Sequence, residues 1–91
     1  MYTRITTVIN KTGLHARPAS TFVKKANFFD STITIRNISL PNPKTANAKS
    51  IISVLSLGIG KDCKVEIAAD GKDEVNAVDT LIDLINTGFG E

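Results

Sequence analysis

The stretch Gly13-Leu14-His15-Ala16-Arg17-Pro18-Ala19 places a turn, a helix start and the chain's one histidine within seven residues. Pro18 fits the first turn of a helix, where its missing N–H group costs no hydrogen bond. Apolar residues then recur at helical spacing, which predicts a helix from about Ala16 to Phe28. The residues that define this spacing are Ala19, Phe22, Val23, Ala26 and Phe29.

His15 is predicted to lie at the N-terminal end of this helix, beside backbone N–H groups without an intrahelical acceptor. Such helix ends bind anions, phosphate in particular, because the N–H groups and the positive end of the helix dipole coincide there. The same positive end disfavours a second positive charge, which predicts an uncharged imidazole with one nitrogen free to attack phosphorus. Arg17 adds a planar cation whose donors match phosphoryl oxygens. The pattern favours phosphoryl transfer, although a single histidine before a helix is often a cap or a plain surface residue.

Length and composition restrict the class of protein. The 91 residues predict one domain over residues 1–91, and the net charge of +2 does not indicate nucleic-acid binding. Cys63 is the one cysteine, and no apolar run could serve as a secretion signal or span a bilayer, which predicts a cytoplasmic protein without membrane insertion. One histidine far from one cysteine predicts no metal site, and nothing in the sequence predicts a cofactor.

The pattern of apolar residues predicts four strands and two further helices. The strands cover Tyr2–Ile9, Ser31–Ile38, a short segment near Lys44–Lys49, and Cys63–Ala69, where Cys63 points inward. The third helix starts at Asp73 and Glu74 and ends at Gly88, with a buried stripe of Val75, Val78, Leu81, Ile82 and Ile85. The order β-α-β-β-α-β-α predicts an α+β fold of the open-faced β-sandwich type, a four-stranded antiparallel sheet with three helices on one face. Small RNA-binding domains share part of this order, but all four phenylalanines lie on or after helices, which disfavours base stacking.

The second helix, Ser50–Leu57, is apolar almost all round and is followed by Gly58. Val54 and Leu57 can face the sheet, which leaves Ile51, Ile52 and Leu55 as an exposed apolar patch. Such a patch on a small protein usually marks a docking site. The alternative is a helix buried more deeply than its pattern suggests. Ser50 is predicted to be its N-cap.

Gly13–Ala19 resembles the active-centre motif of the HPr family, the histidine phosphocarriers of the bacterial sugar phosphotransferase system. A second stretch, Ala48–Gly58, resembles that family's regulatory serine and the helix after it, and the likeness runs over nearly the whole chain. The resemblance implies a carrier phosphorylated on His15 through Nδ1, with Arg17 assisting, rather than a free-standing turnover enzyme. It implies that Thr12, Ala16, Pro18, Lys24, Ile51, Ile52 and Leu55 bind the phosphoryl group or the partners.

The partners implied by the resemblance are Enzyme I as phosphoryl donor and the A domains of sugar-specific permeases (Enzyme IIA) as acceptors, with the chain acting as a monomer. Ser50 corresponds to the serine that an HPr kinase/phosphorylase modifies, and a catabolite-control transcription factor is a further implied partner. A regulatory paralogue that works mainly through Ser50 is therefore an alternative function. The chain departs from the family between Asn37 and Lys44, where Pro41 and Pro43 predict a loop longer than the family's usual tight turn.

Overall fold

In the computed structural model, which describes residues 1–90, four strands form one antiparallel sheet in the order β1-β4-β2-β3. Strands and helices follow one another in the predicted order β-α-β-β-α-β-α, so the α+β open-faced sandwich is confirmed. The bounds in chain order are β1 Tyr2–Thr7, α1 Ala16–Ala26, β2 Thr32–Asn37, β3 Thr45–Asn47, α2 Ile51–Leu55, β4 Lys64–Asp70, α3 Glu74–Asn86, and a 3-10 turn Gly88–Gly90.

The core lies between one face of the sheet and the helices. Alternation along β2 and β4 points Ile33 and Ile35, and Val65 and Ile67, to the same side, where all four side chains are buried. Phe22 of α1 and the stripe of α3 fill the other half of this core. The remaining face of the sheet carries exposed or half-buried residues such as Thr32, Thr34 and Glu66. One buried face and one open face explain the alternating pattern that the sequence shows.

The prediction that Val75 belongs to the buried stripe of α3 is wrong, because 52% of this residue is exposed. Val75 lies in the first turn of α3, where Glu74 pairs with the N-terminal ammonium group at 3.2 Å. This turn therefore lies beside the N-terminus of the chain, and the buried residues of α3 begin only at Ala77. The buried stripe consists instead of Ala77, Val78, Leu81, Ile82 and Ile85.

Predicted bounds differ from the structure mainly where a cap or a turn ends an element. Helix α1 stops at Ala26 because Asn27 caps it, donating from Nδ2 to the carbonyl of Val23 at 2.9 Å. Strand β1 stops at Thr7 rather than at Ile9. Cys63 precedes β4, and its thiol packs against the core while only half-buried, so its predicted place inside the strand is wrong. Strands β2 and β3 and helix α2 are likewise shorter than predicted, by one or two residues at each end.

Polar side chains fasten the first strand to the last helix. The Tyr2 hydroxyl donates to Asp79 Oδ1 at 2.9 Å, and Arg4 forms an ion pair with the same carboxylate at 3.0 Å. The hydrogen bond to Asp79 raises the pKa of Tyr2. Thr6 Oγ1 donates to Oδ1 of Asn86, the last residue of α3. Within residues 1–90, no helix has the length and apolarity needed to cross a bilayer.

Candidate functional site

The turn before α1 is held in place by backbone contacts on both sides. Gly13 adopts a φ of +64°, and a Cβ atom at this position would collide with the backbone of Ile59 and Gly60. Leu14 is fully buried, and its N–H group donates to the Ile59 carbonyl at 3.0 Å. Asn10, itself buried, donates from Nδ2 to the Gly13 carbonyl at 2.8 Å. These contacts fix the point at which the chain turns outward to His15.

His15 is the N-cap of α1 and is exposed, with an extended backbone at φ −128° and ψ 160°. Its side chain makes no capping hydrogen bond. Arg17 is also exposed, and among residues 1–90 neither side chain has a hydrogen-bond or ion-pair partner. Pro18 is the third residue of the helix and has no N–H group, so Ala16 and Arg17 supply the amide N–H groups nearest to His15. The site therefore brings together the exposed imidazole of His15, the exposed guanidinium of Arg17 and the backbone N–H groups at the start of α1, which have no acceptor within the helix.

Ala16 has a φ of +52°, a left-handed conformation that costs an L-residue roughly 1–2 kcal/mol. The sequence carries no signal for it, because alanine seldom adopts this conformation and the helical pattern predicts ordinary helix geometry at Ala16. Buried neighbours on either side, Leu14 and Pro18, hold the strained peptide in place. The strain thus falls between the histidine and the arginine, the two residues that the sequence marks as functional.

The electrostatics of this end of α1 favour an anion. The first turn of the helix contains no acidic residue, and its last turn contains Lys24 and Lys25. Thr12 is exposed beside the turn, and Asn10 Nδ2 also donates to its Oγ1 at 3.3 Å. Lys24 lies nine residues from His15, about 13 Å along the helix axis, so it is too distant to share a phosphoryl group bound at His15.

Pro18, one of the predicted binding residues, is buried in the structure. Its ring lies on the buried side of α1 and not at the surface, so it contributes to the site through backbone geometry. Ala16 and Thr12, in contrast, are exposed beside His15.

The second predicted site, on α2, is laid out as its apolar pattern indicates. Val54 and Leu57 are buried, whereas Ile51, Ile52 and Leu55 are 38%, 79% and 39% exposed. The apolar patch therefore exists, and the alternative of a deeply buried helix is wrong. Helix α2 also packs against α1, and Asn27 Nδ2 donates to the Lys49 carbonyl at 3.2 Å across this contact.

Ser50 is the N-cap of α2, as predicted, and its Oγ accepts a hydrogen bond from the Ser53 N–H group at 3.4 Å. The residue is half-buried and directly precedes the exposed patch. Lys49, the residue before it, is turned toward α1, because its Nζ donates to the Phe29 carbonyl at 2.6 Å.

The rest of the described surface offers no metal-ligand cluster, and a depression in it lies away from His15. Among residues 1–90, no three His, Cys, Asp or Glu side chains cluster as metal ligands would. A shallow depression of about 280 Å³ lies on the open face of the sheet, near the start of β1 and far from the α1 turn. It is lined by Met1, Thr32, Thr34, Ala68, Ala69 and Asp70.

Comparison with known proteins gives a consistent result along the chain. Residues 2–87 match the family model described as "PTS HPr component phosphorylation site". The phosphocarrier protein HPr of Haemophilus influenzae is 40% identical over 87 residues, 96% of this chain and 98% of that protein. The structure is similar to HPr-C-His from Thermoanaerobacter tengcongensis, with a TM-score of 0.92 and 43% identity over 100% of this chain and 98% of the other. An HPr dimer from the same organism matches with a TM-score of 0.75 and 45% identity over 92% of each chain.

Proposed function

The chain belongs to the HPr family of phosphocarriers of the phosphotransferase system, and on this premise we propose that it carries a phosphoryl group on His15 from Enzyme I to Enzyme IIA domains. Residues 1–91 then act as one HPr-like domain in the cytoplasm, as a monomer that meets its partners in turn. The observation that carries the proposal is the exposed His15 at the N-terminus of α1, whose side chain has no partner among the residues that the structure describes.

In the proposed reaction, the uncharged imidazole attacks the phosphorus through Nδ1. A nitrogen–phosphorus bond forms on His15 while the donor's bond to the phosphoryl group breaks. In the second transfer, the acceptor's nucleophile forms a bond to the same phosphorus and the nitrogen–phosphorus bond on His15 breaks. The amide N–H groups of Ala16 and Arg17, together with the Arg17 guanidinium, stabilise the charge on the equatorial oxygens during each transfer. An exposed site suits this chemistry, because both donor and acceptor must reach the same nitrogen.

Partner docking is assigned to the neighbouring surface of α1 and α2. Ile51, Ile52 and Leu55 form an apolar patch, and Lys24 lies on the exposed side of α1, which packs against α2. An apolar centre with a cationic rim fits a brief encounter with an acidic partner, in which charge speeds association. In this arrangement Lys24 contacts the partner protein and Arg17 contacts the phosphoryl group.

The test is incubation with Enzyme I and labelled phosphoenolpyruvate, followed by transfer to an Enzyme IIA domain. We expect an acid-labile label on the wild-type chain and none on the His15→Ala variant, while a Ser50→Ala control is labelled normally. A chain that takes no label from Enzyme I, or that is labelled after His15 has been replaced, would refute the assignment.

A regulatory role of Ser50 is the second function that a specific observation favours. Its hydroxyl caps α2 beside the exposed Ile51 and Ile52, so a phosphate there would add roughly −1.5 to −2 charges next to the docking patch. The helix dipole tolerates that charge, whereas an acidic partner is repelled by it. We expect an HPr kinase and ATP to give an acid-stable label that is absent from Ser50→Ala and present in His15→Ala. Phosphorylation that leaves the Enzyme I reaction unchanged would contradict this role.

A further inference from the structure

The connection between β2 and β3 is long and exposed. Every residue from Ser39 to Lys44 is exposed, and Leu40 presents 44% of its surface to solvent. Pro41 and Pro43 restrict the backbone of this segment, which lowers the entropy lost when it binds a partner. We refer to Ile38–Lys44 as the 38–44 turn.

Hydrogen bonds place the 38–44 turn on one side of the segment Leu57–Lys64. Ile38 donates its N–H group to the Lys64 carbonyl at 3.0 Å, and the Ser39 hydroxyl accepts from the Lys64 N–H group at 2.8 Å. Just before the turn, the fully buried Asn37 donates from Nδ2 to the Leu57 carbonyl at 3.1 Å.

The same segment also holds the turn that presents His15. Leu14, the residue before His15, donates to the carbonyl of Ile59, which lies between Leu57 and Lys64. The 38–44 turn and the His15 turn therefore flank one short segment at the same end of the sheet. A protein that reaches across this segment to His15 meets Leu40 and Lys44 on its far side.

Cationic side chains predominate at the His15 end of the sheet. Among residues 1–90, the turns and strand ends there carry Lys11, Arg17, Lys44, Lys61 and Lys64, with Asp62 as the acidic residue of the same turns. The opposite end, where β1 and β2 begin, carries both signs: Asp30, Asp70, Asp73 and Glu74 lie there with Lys72, and Glu74 pairs with the N-terminal ammonium group.

We propose that the 38–44 turn is an additional docking element, which places Leu40 in an apolar depression of the phosphotransfer partner while Lys44 pairs with acidic groups around it. The inference rests on the proposed function, because the partner is the protein that exchanges a phosphoryl group with His15. Charge complementarity selects an acidic protein surface, and the exposed, apolar Leu40 next to Pro41 selects a shallow apolar recess within it.

The experiment measures phosphorylation of Leu40→Ser and Lys44→Glu by Enzyme I and phosphoenolpyruvate. Val75→Ser and Lys72→Glu are matched controls, since both positions are exposed and lie at the opposite end of the sheet. We expect KM for the carrier to rise about three- to tenfold in each test variant, with kcat within about twofold of wild type, because docking is weakened and His15 is untouched. Lys44→Glu should also reduce the dependence of KM on salt.

Three results would overturn the inference. If both test variants keep the KM of wild type while the wild type is labelled on His15, the 38–44 turn is not a docking element and the carrier function stands. If the wild-type chain accepts no phosphoryl group, the carrier function and the docking element fail together. If Leu40→Ser dissociates a dimer seen for wild type by size-exclusion chromatography, a second copy of the chain covers Leu40 instead.

Discussion

Two residues with positive φ, Gly13 and Ala16, decide how His15 is presented. Gly13 turns the chain where it lies against the backbone of Ile59 and Gly60. Ala16 adopts the left-handed conformation directly after the histidine. Between them, the burial of Leu14 prevents the turn from rotating, because its side chain would have to leave the core. The histidine therefore projects from a turn that these contacts fix, although its side chain has no partner within residues 1–90.

The residue-scale prediction for Gly13 compares two glycines with nearly the same φ. Gly13→Ala adds strain and a collision with the Ile59 backbone, and we expect it to lower the free energy of unfolding by about 2–4 kcal/mol. Gly58→Ala is the control, since φ there is +61° but no atom lies within 4 Å of the added Cβ, which predicts a loss of about 1 kcal/mol. Urea denaturation measures the unfolding free energy of both variants. Equal losses would show that the contact between residue 13 and the backbone of Ile59 and Gly60 does not contribute to the cost of the Gly13 substitution.

Arg17 is predicted to act on the reaction and not on the fold. Its side chain is exposed and unpartnered within residues 1–90, so Arg17→Ala should leave the unfolding free energy within about 0.5 kcal/mol of wild type. Loss of its donors to the phosphoryl oxygens should lower kcat/KM with Enzyme I about 10- to 100-fold, with Arg17→Lys in between. An unchanged rate for Arg17→Ala would remove this residue from the mechanism.

At the scale of elements, helix α2 divides its apolar residues between the core and the surface. Val54 of α2 and Leu57 just after it are buried, whereas Ile52 of the same short helix is 79% exposed. Five helical residues are too few for intrinsic helix stability, so packing of the buried residues and the Ser50 cap must hold the helix. The exposed residues are then free to serve a partner.

This division predicts opposite outcomes for two apolar substitutions. Leu57→Ala should lower the unfolding free energy by about 2–5 kcal/mol because it leaves a cavity in the core. Ile52→Ser should change it by less than about 0.5 kcal/mol while raising KM for Enzyme I. Denaturation and steady-state phosphorylation on the same two variants decide the matter, and a stability loss in Ile52→Ser would place that side chain in the core.

Elements with a strong repeating pattern could be predicted from the sequence, whereas their ends could not. Strand β4 and the stripe of α3 follow from regular alternation and helical spacing. The end of α1 depends on a hydrogen bond from the Asn27 amide, and the exposure of Val75 depends on how α3 packs on the sheet. Both are set by the folded structure and not by the local sequence pattern. At the site, residue type and spacing indicate His15 and Arg17 only as candidates, which the resemblance to the HPr family then favours. The φ of Ala16 has no signal in the sequence, because the contacts around it impose it.

At the scale of the whole molecule, Asp73 joins the start of α3 to the residues before β2. Its carboxylate accepts hydrogen bonds from the N–H groups of Asp30 and Ser31 and from the Ser31 hydroxyl. The Ser31 hydroxyl contributes most, and together these bonds hold the pKa of Asp73 below its ordinary value. The folded state therefore binds this proton less readily than the unfolded state does.

The pH dependence follows from that sign. The stabilisation by Asp73 is fully present above the ordinary aspartate pKa of about 4, and it is lost as the pH falls through the lower pKa of the folded state. We expect Asp73→Asn to lower the urea midpoint at pH 7 and to differ less from wild type at pH 3. A difference that stays constant between the two pH values would show that the charge of Asp73 is not what stabilises the fold.

The attachment of β1 has a consequence for synthesis of the chain on the ribosome. Tyr2 and its neighbours pair only with Lys64–Asp70, and their side chains bind Asp79 and Asn86 of the last helix. Strand β1 therefore stays unpaired until β4 has been synthesised as well, whereas α1, β2 and β3 can make local contacts earlier. Of the four strands, nascent β1 thus waits longest for its partner and is the one most open to capture by chaperones.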